Sequence, residues 1–461
     1  MRRTLLAVVL VAGTGVAAAL AYQAFANERE FDRLIAEGDR AQSEERHFQA
    51  IEAYSGAVAL KPDSMLAHLK RGSVYQQQGE LEAALRDLRE ATDIDPVAPR
   101  PLELLGDVNV AMGRPDRGIE RYERYIALDE RNARVLYKLG VARYRAGLIA
   151  TAAEPLRQAL QLDPALSEAH YMLGLVQRDQ NRLAPAKASL QQALKMNPGN
   201  AAMREALADV LALEGEHSKA IEQLEALAAL DPSRPSRWIA VGLAQSRAGR
   251  EDAAVVTLSR AVDRFPDASQ AYAALGHVWL SSAQSRGDRV ALKKAVEALT
   301  KAATRSDASS ETLAELGRAW MLSGDPQEAE RMLRQAVSRL PVPADAYLQL
   351  ATVTERDGRI QEARDALMKY ATLVGDSQPL ATVARRIGDL SVRLGEPAIA
   401  VRWFDRALDE SGPTSALLAQ LADAALRAGD IPRARQAVEE GLAAEPNDRL
   451  LEDLKRRLPP G

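Results

Sequence analysis

The sequence contains no cysteine, so thiolate metal sites, iron–sulfur clusters, thiol nucleophiles and disulfide staples are excluded together. Aromatic residues are scarce at 4%, and the chain is dominated by Ala, Leu, Glu and Arg rather than the β-branched and aromatic residues that favour strands. An all-α protein is expected. Net charge is nearly absent, −4 from 60 basic and 64 acidic residues, so there is no bulk field for a nucleic-acid track. Histidines number five, and none of His47, His68, His170, His217 and His277 lies three or four residues from another, which removes helix-borne metal pairs. Also missing are a glycine-rich phosphate loop before a helix and a G-x-S-x-G elbow. Acidic pairs such as Glu44–Glu45 and Glu439–Glu440 read as solvated helix faces. No enzyme, metal or cofactor is expected.

What is present begins with a leader. Arg2 and Arg3 precede an uncharged run from Thr4 to Asn27, after which Glu28, Arg29 and Glu30 restore charge. The basic start, apolar middle and Ala24-Phe25-Ala26 have the order of a cleavable signal peptide. The run also exceeds the roughly 20 residues that span a bilayer, so residues 4–26 fit an uncleaved anchor equally well. The expected location is the bacterial inner membrane with the body in the periplasm, or secretion to the periplasm. Bacterial origin rests on the leader and the Arg- and Ala-rich composition. Arg29, Arg33, Arg40 and Arg46 behind the run pull the other way under the positive-inside rule and leave a cytosolic body open.

Beyond the leader a period of 34 governs the chain. Gly79, Gly113, Gly147, Gly215 and Gly249 keep the step, Asn181 fills the one vacant slot, and Gly324, Gly358, Gly395 and Gly429 resume it. Asn tolerates a left-handed backbone next best after Gly, so a turn of positive φ is expected between two helices. Pro62, Pro96, Pro164, Pro198, Pro232 and Pro266 follow the same ruler and end the second helix. A small residue recurs midway along each first helix, including Gly72, Gly106, Gly140, Gly174 and Gly242. Mid-helix Gly costs about 1 kcal/mol relative to Ala, so close packing is expected there, with the second helix's Ala residues (Ala84, Ala152, Ala186, Ala254) opposite.

Units such as Leu136, Leu139, Gly140, Gly147, Ala152, Leu156, Ala159 and Pro164 resemble the tetratricopeptide repeat. The resemblance implies a right-handed superhelical solenoid of about twelve antiparallel two-helix units. The domains expected are a signal or anchor over 1–27, the array over 28–446 and a capping helix and tail over 447–461, with joints near 281–294 and 376–380. Seven residues are inserted at Ser281–Lys294 and three near Ser377–Leu380. The four tryptophans read as core, Trp238 in a unit's early bulky place.

The resemblance further implies a non-catalytic scaffold or adaptor of the cell envelope whose first helices line a concave groove for partner segments. The alternative is a cytosol-facing, membrane-anchored regulatory subunit of an enzyme or assembly complex. By matching place, the groove candidates are Arg134, Tyr137, Lys138, Val141, Tyr144 and Arg145 of the fourth unit and Tyr171, Met172, Leu175, Arg178 and Asp179 of the fifth, with Arg134, Tyr137, Lys138, Tyr144, Arg145, Tyr171 and Arg178 as the binding residues. Arginine and tyrosine anchor interfaces, so this basic, aromatic patch is expected to take an acidic or carboxylate-bearing protein segment. Glu103 and Asp107 in the third unit and Arg385, Arg386, Asp389 and Arg393 in the eleventh alternate the sign, which argues against nucleic acid. The family's chaperone-tail clamp uses a Lys and an Asn one turn apart on a first helix, and no unit here carries that pair.

Overall fold

In the computed structural model the described residues are 2–375 and 380–459, with side chains described from residue 21 onward. They form 25 helices and, among the described residues, no strand. The hairpins are α1 (Arg2–Ser43) with α2 (His47–Leu60), α3 (Met65–Gln78) with α4 (Leu81–Ile94), α5 (Pro99–Ala111) with α6 (Pro115–Leu128), and α7 (Ala133–Arg145) with α8 (Ile149–Leu162). Next come α9 (Ser167–Asp179) with α10 (Leu183–Met196), α11 (Ala201–Leu213) with α12 (His217–Leu230), α13 (Pro235–Arg247) with α14 (Glu251–Arg264), and α15 (Ser269–Arg286) with α16 (Arg289–Ala303). The last four are α17 (Ser310–Ser323) with α18 (Pro326–Val337), α19 (Ala344–Arg356) with α20 (Ile360–Val374), α21 (Ala381–Arg393) with α22 (Pro397–Ser411), and α23 (Ser415–Ala428) with α24 (Ile431–Ala444). A single helix, α25 (Arg449–Arg457), follows. The chain divides into two compact bodies, Met1–Gln223 and Leu224–Gly461.

The side chains of the uncharged leader up to residue 20 lie outside the described residues, so the expected membrane segment at 4–26 is largely not described. Among the described residues no helix is long and apolar enough to cross a membrane. The expected joint near 376–380 likewise falls on undescribed residues, apart from a buried Leu380 whose N–H donates to Glu410.

Every glycine of the ruler adopts positive φ, between +71° and +85°, and Asn181 does so at +57°. Glu45, one step of 34 before Gly79, occupies the same turn at φ +57°. The ruler therefore extends to the first hairpin, hidden because a glutamate fills the slot. A non-glycine residue loses roughly 1–2 kcal/mol in this region. Glu45→Gly is expected to raise the local stability of α1–α2 by about 1 kcal/mol, and Asn181→Gly to raise that of α9–α10 by less. Native-state amide exchange would read both, and an unchanged Glu45 variant would count against strain at that turn.

The mid-helix glycines mark the tightest contact in each hairpin. A Cβ built on Gly140 would lie 2.5 Å from Leu156 Cγ and 3.3 Å from the Ala152 carbonyl oxygen. Gly174 meets Leu190, Gly242 meets Leu258 and Gly317 meets Leu333 at 2.5–2.7 Å, always sixteen residues on. In the eighth hairpin the separation becomes 23, Gly276 to Leu299, because the seven-residue insertion lengthens α15 to 18 residues, ending at Gly287 with φ +67°. The expected partner is thereby corrected. The second helix's alanines are buried beside the contact, but the group seated on the glycine is a Leu, Tyr or Phe one turn later. A branched or aromatic side chain fills the space left by the absent Cβ and offsets the helix cost of glycine.

Consecutive hairpins are tied where the ruler prolines sit. The carbonyls of Pro62, Pro164, Pro198 and Pro232 accept hydrogen bonds from side chains six residues on: His68 Nε2 (3.0 Å), His170 Nε2 (3.1 Å), Arg204 Nη2 (2.8 Å) and Trp238 Nε1 (3.1 Å). This corrects the reading of Trp238 as core, since it is half-buried, held by its indole N–H, and has the Arg264 guanidinium 5.9 Å from its ring. Trp279, Trp320 and Trp403 do pack, half-buried, against apolar clusters.

Candidate protein-binding face

Within the first body, α3, α5, α7, α9 and α11 follow one another as first helices. Asn132 caps α7 through its side-chain oxygen, which accepts from the Arg134 and Val135 N–H groups at 3.1 Å. The apolar stripe Val135, Leu136, Leu139 and Ala142 is buried, and this rotation leaves Arg134 and Arg145 exposed and Tyr137, Lys138 and Tyr144 half-buried.

The expected patch resolves into three groups. Tyr137, Lys138 and Arg145 line a hollow of about 220 Å³ together with Asp107, Val110 and Tyr122 of the preceding hairpin. Tyr144 Oη donates to Asp179 Oδ2 at 2.6 Å, and Arg178 Nε donates to Asp179 Oδ1 at 2.8 Å, so Tyr144 and Arg178 meet at one carboxylate. Burial pushes Asp179 upward, but the hydrogen bonds from Arg178 and Tyr144 outweigh it and hold the carboxyl below its usual range. Tyr171 is half-buried against apolar residues of α10 and α11, and burial raises its phenol. Burial also raises Tyr137, with Glu168 adding to the shift and Arg145 and Arg134 opposing it.

Lys138 is not a free cation. Its Nζ donates to Glu103 Oε1 at 2.6 Å and to Asp107 Oδ2 at 2.7 Å, and Tyr122 Oη donates to Asp107 Oδ1 at 2.6 Å. The Tyr122 ring lies across Gly106, where a Cβ would approach within 2.5 Å. The same four residue types recur two repeats earlier: Tyr54 lies across Gly38, and both Tyr54 Oη and Lys70 Nζ reach Asp39 Oδ1 at 2.6 Å. Gly-Asp followed by Tyr fifteen residues after the Asp and Lys thirty-one after it is thus a device that stitches neighbouring hairpins. The spacing is present in the sequence, where the carboxylates by themselves show only a change of sign. Arg134 and Arg145 have no ion-pair partner among the described residues, and they remain the cations this face offers. In the eleventh hairpin Arg386 is bound to Glu355 at 2.6 Å, while Arg385 and Asp389 both bind Gln420 at 2.7 Å, so that alternation is internal pairing.

Sequence reading missed a second hollow. About 390 Å³ opens between α13, α15 and α17, with His277 and Glu315 on its rim. No residue of the Ser281–Lys294 insertion lines it, and no sequence signal marked it. No group of three or more His, Asp or Glu side chains among the described residues is placed to hold a metal ion.

The tetratricopeptide repeat profile matches residues 104–167, 171–235, 315–381 and 385–449, and two further repeat profiles match 43–79 and 67–97. This chain belongs to the tetratricopeptide repeat family. Its tetratricopeptide array is similar to the small glutamine-rich tetratricopeptide repeat-containing protein 2 of Mycosarcoma maydis, 29% identical over 128 residues, which are 28% of this chain and 36% of that one. It is also similar to Hsp70-Hsp90 organizing protein 3 of Arabidopsis thaliana, 26% identical over 111 residues, 23% of this chain and 20% of that one. The chain thus spans about a third or less of these relatives. Among solved structures, Pseudomonas aeruginosa pilF aligns with 26% identity and a TM-score of 0.38 over 45% of this chain and 94% of its own. The comparisons thus place the chain among tetratricopeptide repeat proteins, with relatives that are protein-interaction modules.

Proposed function

We propose that this chain is a non-catalytic scaffold that holds an extended, carboxylate-bearing segment of a partner protein on the first-helix face of hairpins four and five. The observation that carries the proposal is the placement of the exposed Arg134 and Arg145 beside the half-buried ring of Tyr137, which in turn neighbours Tyr171. Unpaired guanidiniums bind carboxylates with two donors, and adjoining rings supply apolar area at little entropic cost. One of the relatives is named for Hsp70 and Hsp90 organisation, but no first helix here has the Lys and Asn pair of the chaperone-tail clamp, so a different carboxylate-bearing partner is proposed. The leader supports a place in the bacterial envelope, with the body in the periplasm and residues 4–26 as anchor or signal.

Arg134→Glu with Arg145→Glu is expected to weaken capture of the partner from solubilised membranes at least tenfold, with the helical content of the purified protein unchanged. Mass spectrometry of an unaltered set of co-purifying proteins would reject this face. A second reading, a cytosol-facing regulatory subunit, draws on the arginines that follow the uncharged run. Protease digestion of intact spheroplasts separates the two, because a periplasmic body is cut and a cytosolic body survives.

A further inference from the structure

The hollow beside the lengthened hairpin is walled by three successive first helices of the second body. Ile239 and Leu243 of α13 and Ala273 and Ala274 of α15 give it an apolar floor. Its rim carries charge unevenly. Arg247 stands at the end of α13, whereas Asp307, Glu311 and Glu315 stand on α17 and the turn before it. Asp307 accepts a hydrogen bond from the buried Ser269 hydroxyl at 2.6 Å, and Glu315 Oε1 lies 2.6 Å from His277 Nδ1. Among the described residues no ion pair reaches Asp307 or Glu311, so three carboxylates line the hollow with the Arg247 guanidinium and the His277 imidazole, and Arg318 stands near His277 outside the lining.

We propose that this hollow is a socket for one basic side chain, arginine or lysine, of an extended partner segment, with the aliphatic stem on Ile239 and Leu243 and the cationic head among Asp307, Glu311 and Glu315. Both basic side chains combine an apolar stem with a polar head, which is the division between this floor and this rim. The hollow lies at the small end of the roughly 300–1,000 Å³ range of ligand pockets, suited to a single side chain rather than to a folded domain. Carboxylates aligned along one helix offer a guanidinium two-point hydrogen bonding. The preference is opposite in sign to that of Arg134 and Arg145, so the two proposals stand or fall separately.

An array of random ten-residue peptides probed with the full-length protein tests the socket. Bound peptides are expected to be enriched in Arg or Lys at a single position, and Glu311→Gln with Glu315→Gln is expected to abolish that enrichment and lower the affinity of a selected peptide about tenfold. Arg134→Glu with Arg145→Glu should leave it intact. The Arg-to-norleucine exchange in a selected peptide, measured by fluorescence polarisation on the unaltered protein, gives a second reading that needs no variant and should also lose about tenfold. An array with no basic enrichment, enrichment that persists in the double variant, or free arginine binding as tightly as the peptide would overturn the proposal.

Discussion

Gly140→Val is expected to destabilise the fourth hairpin by about 3 kcal/mol, one of the two largest effects anticipated for a single substitution in this chain. Two opposing contributions decide the sign. Removing a mid-helix glycine gains up to about 1 kcal/mol in helix propensity, less for Val than for Ala. Against that gain, the new Cβ would stand 2.5 Å from Leu156 Cγ and 3.3 Å from a backbone oxygen. Leu156 is fully buried, its Cγ is not the free end of the side chain, and the Ala152 carbonyl belongs to the helix itself, so neither neighbour can yield cheaply. Overpacking wins, and the two γ-methyls of Val enlarge it. The natural comparison is Ala351, which already carries a Cβ in the equivalent place and is buried against Leu367 in one apolar cluster. Because stacked repeats open locally, amide exchange across α7 and α8 is the suitable measurement. Protection equal to that of the unaltered protein would show that the helices can separate without loss.

Lys138→Met should destabilise the junction of the third and fourth hairpins by about 2 kcal/mol at pH 7, and the deficit should shrink in acid. Desolvation is the largest influence on Glu103 and raises its pKa, but the hydrogen bond and charge of Lys138, with Arg100, outweigh it and hold the carboxyl below its usual range. A depressed carboxylate contributes stability that is present above its unfolded pKa and lost as pH falls through the folded value. With Met at 138 the desolvation stays and the principal cation goes, so the carboxyl shifts upward and resists ionisation. The difference between the two proteins is therefore greatest near neutrality and fades below about pH 4.3, where the unfolded carboxyl is itself half protonated. Urea titrations at pH 7 and pH 4 would reveal it, and a deficit of constant size would argue that Lys138 acts only through packing of its stem.

The contrast between these residues shows how far the amino-acid order speaks. Gly140 was legible as a close-approach position because a costly residue kept a fixed step, and the turn glycines and Asn181 were legible because a left-handed backbone admits few residue types. The identity of the group packed on Gly140 was not legible. It depends on how two helices cross, which moved the contact from Ala152 to Leu156. The pairing of Lys138 is not legible for a related reason: its partners lie 31 and 35 residues away, and a cation's neighbours across a stack cannot be seen in its own segment. The 390 Å³ hollow was farther from reach, since its form depends on how α13, α15 and α17 stand side by side rather than on any residue type.

The single helix α25 covers the apolar edge of the hairpin α23–α24. Leu451 and Leu454 of α25 are buried against the last hairpin, Leu451 seated on Gly441, and Arg457 lies 3.5 Å from Asp423. The opposite flank of α25 is charged and exposed, with Glu452, Asp453, Lys455 and Arg456 turned to water. Loss of α25 is thus expected to uncover Gly441 and the apolar side of the hairpin it covers, turning a dry edge into a wet one.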